Sequence, residues 1–185
     1  MPNNWNIKQL TGKQRTLGEL LRKINNIIVS TPNITQVNES NANLIINGLW
    51  LGNYQAAFNK EFINSKQIKN IINATDNIPT NFSSINYLVY PIKDIDACHN
   101  NLFNMLDNGA DFIDKSLSTD ENILVHCKRG HHRSASIVAY YLMKYKNMSL
   151  VDSIILIKAI RPTAFRRMTC FLQSLIIYEH ERIYS

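Results

Sequence analysis

The segment 122–144, NILV followed by HCKRGHHRS and then ASIVAYYLMK, constrains the fold of this chain more than any other. NILV is short, uncharged and flanked by polar residues, which fits a buried strand better than a helix. Residues 126–134 are polar or small and contain Gly130, and the pattern predicts a helix over Ser134–Lys146. A strand, a tight loop and a helix in that order form one unit of an α/β layer.

The rest of the chain supports that class. LIING and LWLGN, around Gly48, read as two short strands, and QIKNIINA (67–74) and INYLVYPI (85–92) as two more, rich in β-branched and aromatic residues. Helical spacing of apolar residues appears at 16–29 (Leu17, Leu20, Leu21, Ile24, Ile27, Ile28) and at 101–117. QAAFNKEFI (55–63) reads as one helix. Leu150–Ile160 reads as a helix begun by Ser149, and a last helix lies within 166–183 beyond Pro162. The polar linker 30–43, with Pro32, divides the chain into an N-terminal helical arm and linker (1–43) and a core domain (44–185). The arm either folds back on its own domain or packs on a second copy of the chain.

Length and composition fit one globular domain: 185 residues, 45% hydrophobic and 18% charged. The net charge of +6 favours anionic partners. No Arg-rich tract or aromatic-and-basic repeat points to a stable nucleic-acid complex. Cys98, Cys127 and Cys170 are odd in number and include no C-x-x-C pair, so reduced thiols in a cytoplasmic compartment are expected, and no metal site. The N-terminus has no apolar core of signal-peptide type, and no stretch reaches membrane-spanning length.

The loop after NILV carries the chemistry. At a helix N-terminus the backbone N–H groups lack intrahelical partners, and curled as a nest they surround an anion. Gly130 allows the tight curl. Arg133 offers a planar fork for two phosphate oxygens. The same positive field lowers the pKa of Cys127, making it a thiolate able to attack phosphorus in line.

His126, Cys127, Gly130, Arg133 and Ser134 resemble the active-site signature of the cysteine-dependent phosphatases: His-Cys, five residues, Arg, then Ser or Thr. GLWLGNYQAAFN (48–59), INYLVYPIKD (85–94), LVHC and AYYLMK are similar to segments of the dual-specificity phosphatases, and the likeness covers roughly residues 44–182. The resemblance implies a central, mostly parallel or mixed sheet of about five strands flanked by helices. It implies a cysteinyl-phosphate intermediate and no cofactor. Asp94 is implied as general acid, with Asp96 its rival; Ser134 as donor to the thiolate; and His126 as a residue that fixes the loop. Cys98, just beyond the acid loop, is either incidental or half of a reversible disulfide guarding the nucleophile.

Two departures bear on substrate. Lys128, Arg129, His131 and His132 make the loop unusually basic, and the family's Pro-Asn pair is replaced by residues near Met168 and Thr169. Arg166 and Arg167 are either further anion contacts or surface. Phosphorylated proteins are the first expected substrates. Phosphoinositides, inositol polyphosphates or pyrophosphates, and RNA 5′-triphosphates remain open. A phosphate-binding pseudophosphatase is disfavoured, because nucleophile, arginine and candidate acid are all present.

Overall fold

The computed structural model describes residues 12–30, 40–92 and 102–184. Its elements are α1 (Gly12–Val29), β1 (Ala42–Ile46), β2 (Leu49–Gly52), α2 (Tyr54–Phe58), α3 (Lys60–Ser65) and β3 (Ile68–Asn73). β4 (Asn86–Val89), α4 (Leu102–Ser118), β5 (Asn122–His126), α5 (Arg133–Tyr145), α6 (Leu150–Ile160) and α7 (Cys170–Tyr184) follow. The five strands form one sheet in the order β1-β2-β5-β3-β4. β1 and β2 are an antiparallel hairpin, and every other neighbouring pair is parallel. The expected α/β class and mixed sheet are found.

β5 lies at the centre, which explains its short apolar sequence. Ile123, Leu124 and Val125 are fully buried because both faces of the sheet are covered. On one face α4, α5, α6 and α7 build the main core with Leu49, Leu51, Ile72 and Val125. On the other, Ala56, Ala57 and Ile63 pack on Ile71 and Leu124, with Trp50 meeting Phe62 edge to face. Burial of each large aliphatic side chain contributes about 1.5–3 kcal/mol. α5 is buried along nearly its whole length. Its approach to α4 depends on Gly109, where a Cβ would lie 2.8 Å from Ile137 Cγ2.

α1 lies against α7 and α6, with Ile24 and Ile28 buried in the main core. Leu21 and Val29 face outward. The helix thus contributes to the same core as the sheet.

Three expectations need correction. Residues 55–63 are not one helix: the chain breaks at Asn59, whose backbone is extended. The Asn59 N–H closes α2 onto Ala56 O, and its side-chain oxygen accepts from Phe62 N–H to open α3. The helix expected over Ser134–Lys146 runs Arg133–Tyr145, one residue earlier at each end, and the Ser134 hydroxyl in its first turn points to Cys127 Sγ. Cys170 is disulfide-bonded whereas Cys127 is free. Sequence spacing did not reveal that bond, since it reports nothing of cysteines brought together by folding.

Candidate active site

Cys127 is the first residue after β5, at the end of the sheet where the parallel strands finish. The chain curls from there through Lys128–His132 into the N-terminus of α5. Gly130 makes the curl possible with φ +72. A Cβ at that position would lie 2.6 Å from Gly52 O and 2.8 Å from Arg161 Nη2. Only glycine satisfies both the backbone angle and the space.

The curl aims donors at sulfur. Gly130 N–H donates to Cys127 Sγ at 3.2 Å, and Ser134 Oγ–H donates at 3.3 Å. Complete burial pushes the thiol pKa up. The Ser134 hydroxyl, the Ser134 N–H, the Arg133 charge and the Gly130 N–H outweigh it and hold the thiol below its ordinary value. Arg133, 2% exposed, donates from Nη1 to Ile92 O at 2.7 Å and so ties the loop to the chain leaving β4.

His126 ends β5 and is 1% exposed. Burial, with help from the Arg133 charge, brings its pKa down to about 4 against a weaker opposing bond to the Cys127 backbone, so the imidazole is neutral.

One cavity, about 260 Å³, opens over Cys127 and is lined by Arg129, His131, His132, Arg133, Arg166 and Arg167. The structure therefore brings the variable loop residues Arg129, His131 and His132 to one place with Arg166 and Arg167 of the α6–α7 loop. Lys128 is exposed and does not line the cavity. Asp94, Asp96 and Cys98 lie outside the described residues. Among the described residues, no three His, Cys, Asp or Glu side chains gather as a metal site.

Sequence reasoning missed Arg161. It is 1% exposed at the end of α6 and donates to four acceptors: Gly130 O at 3.0 Å, Arg129 O at 3.1 Å, Ser40 O at 2.9 Å and Asn43 Oδ1 at 2.6 Å. It fastens the outer curve of the catalytic loop to the start of β1. Nothing in the sequence separates it from a surface arginine before a proline.

Comparison with known proteins agrees with this geometry. The family model "Dual specificity phosphatase, catalytic domain" matches residues 49–181. Dual specificity protein phosphatase 18 of Mus musculus is 37% identical over 136 residues, covering 73% of this chain and 71% of the relative. Dual specificity protein phosphatase 21 of Homo sapiens is 36% identical over 136 residues, covering 73% and 70%. The crystal structure of human DUSP28 superposes with a TM-score of 0.70 at 22% identity, over 80% of this chain and 97% of that one, a likeness of fold. With its cysteine cradle at the end of the central strand, the chain belongs to the dual-specificity phosphatases, enzymes that hydrolyse phosphate esters through a cysteinyl-phosphate intermediate.

Proposed function

We propose that this chain dephosphorylates phosphotyrosine and phosphoserine or phosphothreonine in proteins, with Cys127 as nucleophile. The observation that carries this reading is the pair of donors on Cys127 Sγ, which lowers the pKa of a thiol that burial alone would raise. The Cys127 thiolate attacks phosphorus, forming the S–P bond as the P–O bond to the substrate breaks. Asp94 gives its proton to the departing oxygen. Water then attacks the phosphocysteine and yields a proton to the Asp94 carboxylate. The Cys127 thiolate leaves, received by the Ser134 hydroxyl. Arg133 and the loop N–H groups hold the phosphoryl oxygens throughout, with Gly130 shaping the loop and His126 supporting it from below.

A second reading, a phosphoinositide or an inositol polyphosphate as substrate, draws on the cationic wall of Arg129, His131, His132, Arg166 and Arg167. Among the described residues no helix is long and apolar enough to cross a membrane. A cytoplasmic compartment suits a nucleophile that must remain a free thiol, whereas the disulfide at Cys170 is not what a reducing one favours. A homodimer through the N-terminal helix would have to use the face bearing Leu21 and Val29, because Ile24 and Ile28 are already covered. Deleting residues 1–30 and measuring mass by light scattering tests it; a monomer both before and after excludes it.

The deciding experiment measures phosphate release by wild type and Cys127→Ser. The substrates are phosphotyrosine and phosphothreonine peptides, phosphoinositides, an inositol pyrophosphate and triphosphorylated RNA. Turnover of the peptides by wild type alone upholds the first reading. Turnover of the polyanions alone replaces it with the second.

A further inference from the structure

Two cations reach out from the C-terminal end of α6: Lys158 in its last turn and Arg161 at its cap. Three residues apart, they share one face of the helix. Arg161 meets the catalytic loop directly. Lys158 does not. It is 8% exposed, and its Nζ donates to Ala164 O at 2.8 Å and to Pro162 O at 3.4 Å. No carboxylate among the described residues pairs with it. Burial, with help from the Arg166 charge, holds its pKa below the ordinary lysine value. Burying an ammonium without a carboxylate is costly. An apolar side chain of the same length would fill the space without that cost, which draws attention to the two carbonyls.

Those carbonyls belong to the α6–α7 loop. Phe165 in that loop is fully buried and sits at φ +51, a left-handed conformation that a bulky residue adopts only where its surroundings impose it. The Ala164–Phe165 peptide is held from both sides. Its oxygen accepts from Lys158, and its N–H donates to His131 O at 2.8 Å. The peptide is trans, and a planar trans peptide points its C=O and N–H in opposite directions. Fixing the oxygen therefore aims the N–H. The charge on Lys158 also polarises the peptide and strengthens the bond it makes to His131. His131 lines the cavity over Cys127, and its carbonyl belongs to the peptide that leads into His132, the N-cap of α5, and then Arg133.

We propose that Lys158 is a positioning residue for the catalytic loop, acting on the His131 carbonyl through the Ala164–Phe165 peptide. Arg161 holds the loop at Arg129 and Gly130, and the Lys158 relay holds it at the next residue, His131, where the chain enters α5. Without the ammonium the buried Ala164 oxygen loses its donor. The peptide is freed to rotate, and the Phe165 N–H turns off the His131 carbonyl. The domain then keeps its fold, but the loop loses the placement that in-line attack on phosphorus requires. This rests on the reading of Cys127 and its loop as the catalytic site.

The test compares wild type with Lys158→Met, which roughly keeps the length of the side chain and removes its donors. Ile154→Val, which trims a fully buried side chain of the same helix, is the control for stability alone. Three quantities are read: kcat and KM on p-nitrophenyl phosphate, inhibition by vanadate as a mimic of five-coordinate phosphorus, and hydrogen exchange at the Phe165 amide. In Lys158→Met, kcat should fall by about tenfold or more with KM moved by less than about threefold, and vanadate should bind about tenfold more weakly. The Phe165 amide should exchange about tenfold faster or more, relative to the core amides of β5. Ile154→Val should lower the melting temperature while leaving kcat and the relative exchange at Phe165 as in wild type. Wild-type kcat in Lys158→Met, a loss of kcat with no change at the Phe165 amide, or an equal loss in Ile154→Val overturns the relay. An unprotected Phe165 amide in wild type overturns it even if Lys158→Met does not fold. If Cys127→Ser hydrolyses p-nitrophenyl phosphate as wild type does, the catalytic reading falls first, an outcome separate from the exchange at Phe165.

Discussion

Arg161 and Gly130 are tied by a hydrogen bond from Nε to the Gly130 carbonyl at 3.0 Å, linking the end of α6 to the tightest point of the catalytic loop. The same guanidinium holds Arg129 O, Ser40 O and Asn43 Oδ1, so one buried side chain fixes segments far apart in sequence. Arg161 is a positioning residue. It holds the Gly130 and Arg129 carbonyls, while the Gly130 N–H donates to Cys127 Sγ.

Arg161→Ala should therefore cost both stability and rate. It strips four acceptors of a charged donor and leaves a cavity, worth about 3 kcal/mol or more of unfolding free energy. Denaturant unfolding measures the first effect, and kcat on an aryl phosphate the second. Arg161→Lys should not restore kcat, because a single ammonium cannot reproduce the planar fork. Full rescue by lysine would show that only charge was needed.

Gly130→Ala should abolish most activity while the domain stays folded. The added Cβ meets Gly52 O and the Arg161 guanidinium, and φ +72 is unfavourable for alanine. The backbone conformation costs about 1–3 kcal/mol. A shift of the loop by a fraction of its width displaces the N–H groups from the phosphoryl oxygens, for a loss on the order of 100-fold in kcat. A variant with near-normal kcat would mean that the loop geometry is not what orients the phosphate.

Ser134→Ala separates the two chemical steps. Without the hydroxyl at 3.3 Å, one of the groups holding the Cys127 pKa down is gone. The thiol pKa rises, and the acid limb of the pH–rate profile moves to higher pH. The thiolate also becomes a poorer leaving group, so breakdown of phosphocysteine slows by about tenfold or more. A burst of alcohol release followed by a slower steady state is expected. Alkylation of Cys127 by iodoacetamide across pH checks the pKa directly; an unmoved titration rules out the hydroxyl as a thiolate partner.

The parts that were legible in the sequence are those written in consecutive residues. His126, Cys127, Gly130, Arg133 and Ser134 fall within nine consecutive positions, and a strand, a loop and a helix must place such neighbours together. The apolar run of β5 read as a buried strand, and both its faces are covered. The parts that escaped depend on distant segments. Arg161 and Asn43 meet only through the fold. Asn59 sits in apolar helical spacing, and its extended backbone and capping side chain overrode that periodicity. The bonded state of Cys170 likewise has no trace in spacing.

His126 makes stability depend on pH in a defined direction. Its folded pKa, about 4, lies below the ordinary value of 6.5. Between these values the unfolded chain binds a proton that the folded chain excludes, so stability rises with pH across this window and is flat, for this group, outside it. The full difference amounts to about 3 kcal/mol. Comparing urea unfolding of wild type and His126→Gln from pH 4 to pH 7 isolates the histidine from the carboxylates. The wild type should gain on the variant as pH rises through the window. A constant difference between the two would mean that His126 is not held neutral by burial beneath the loop.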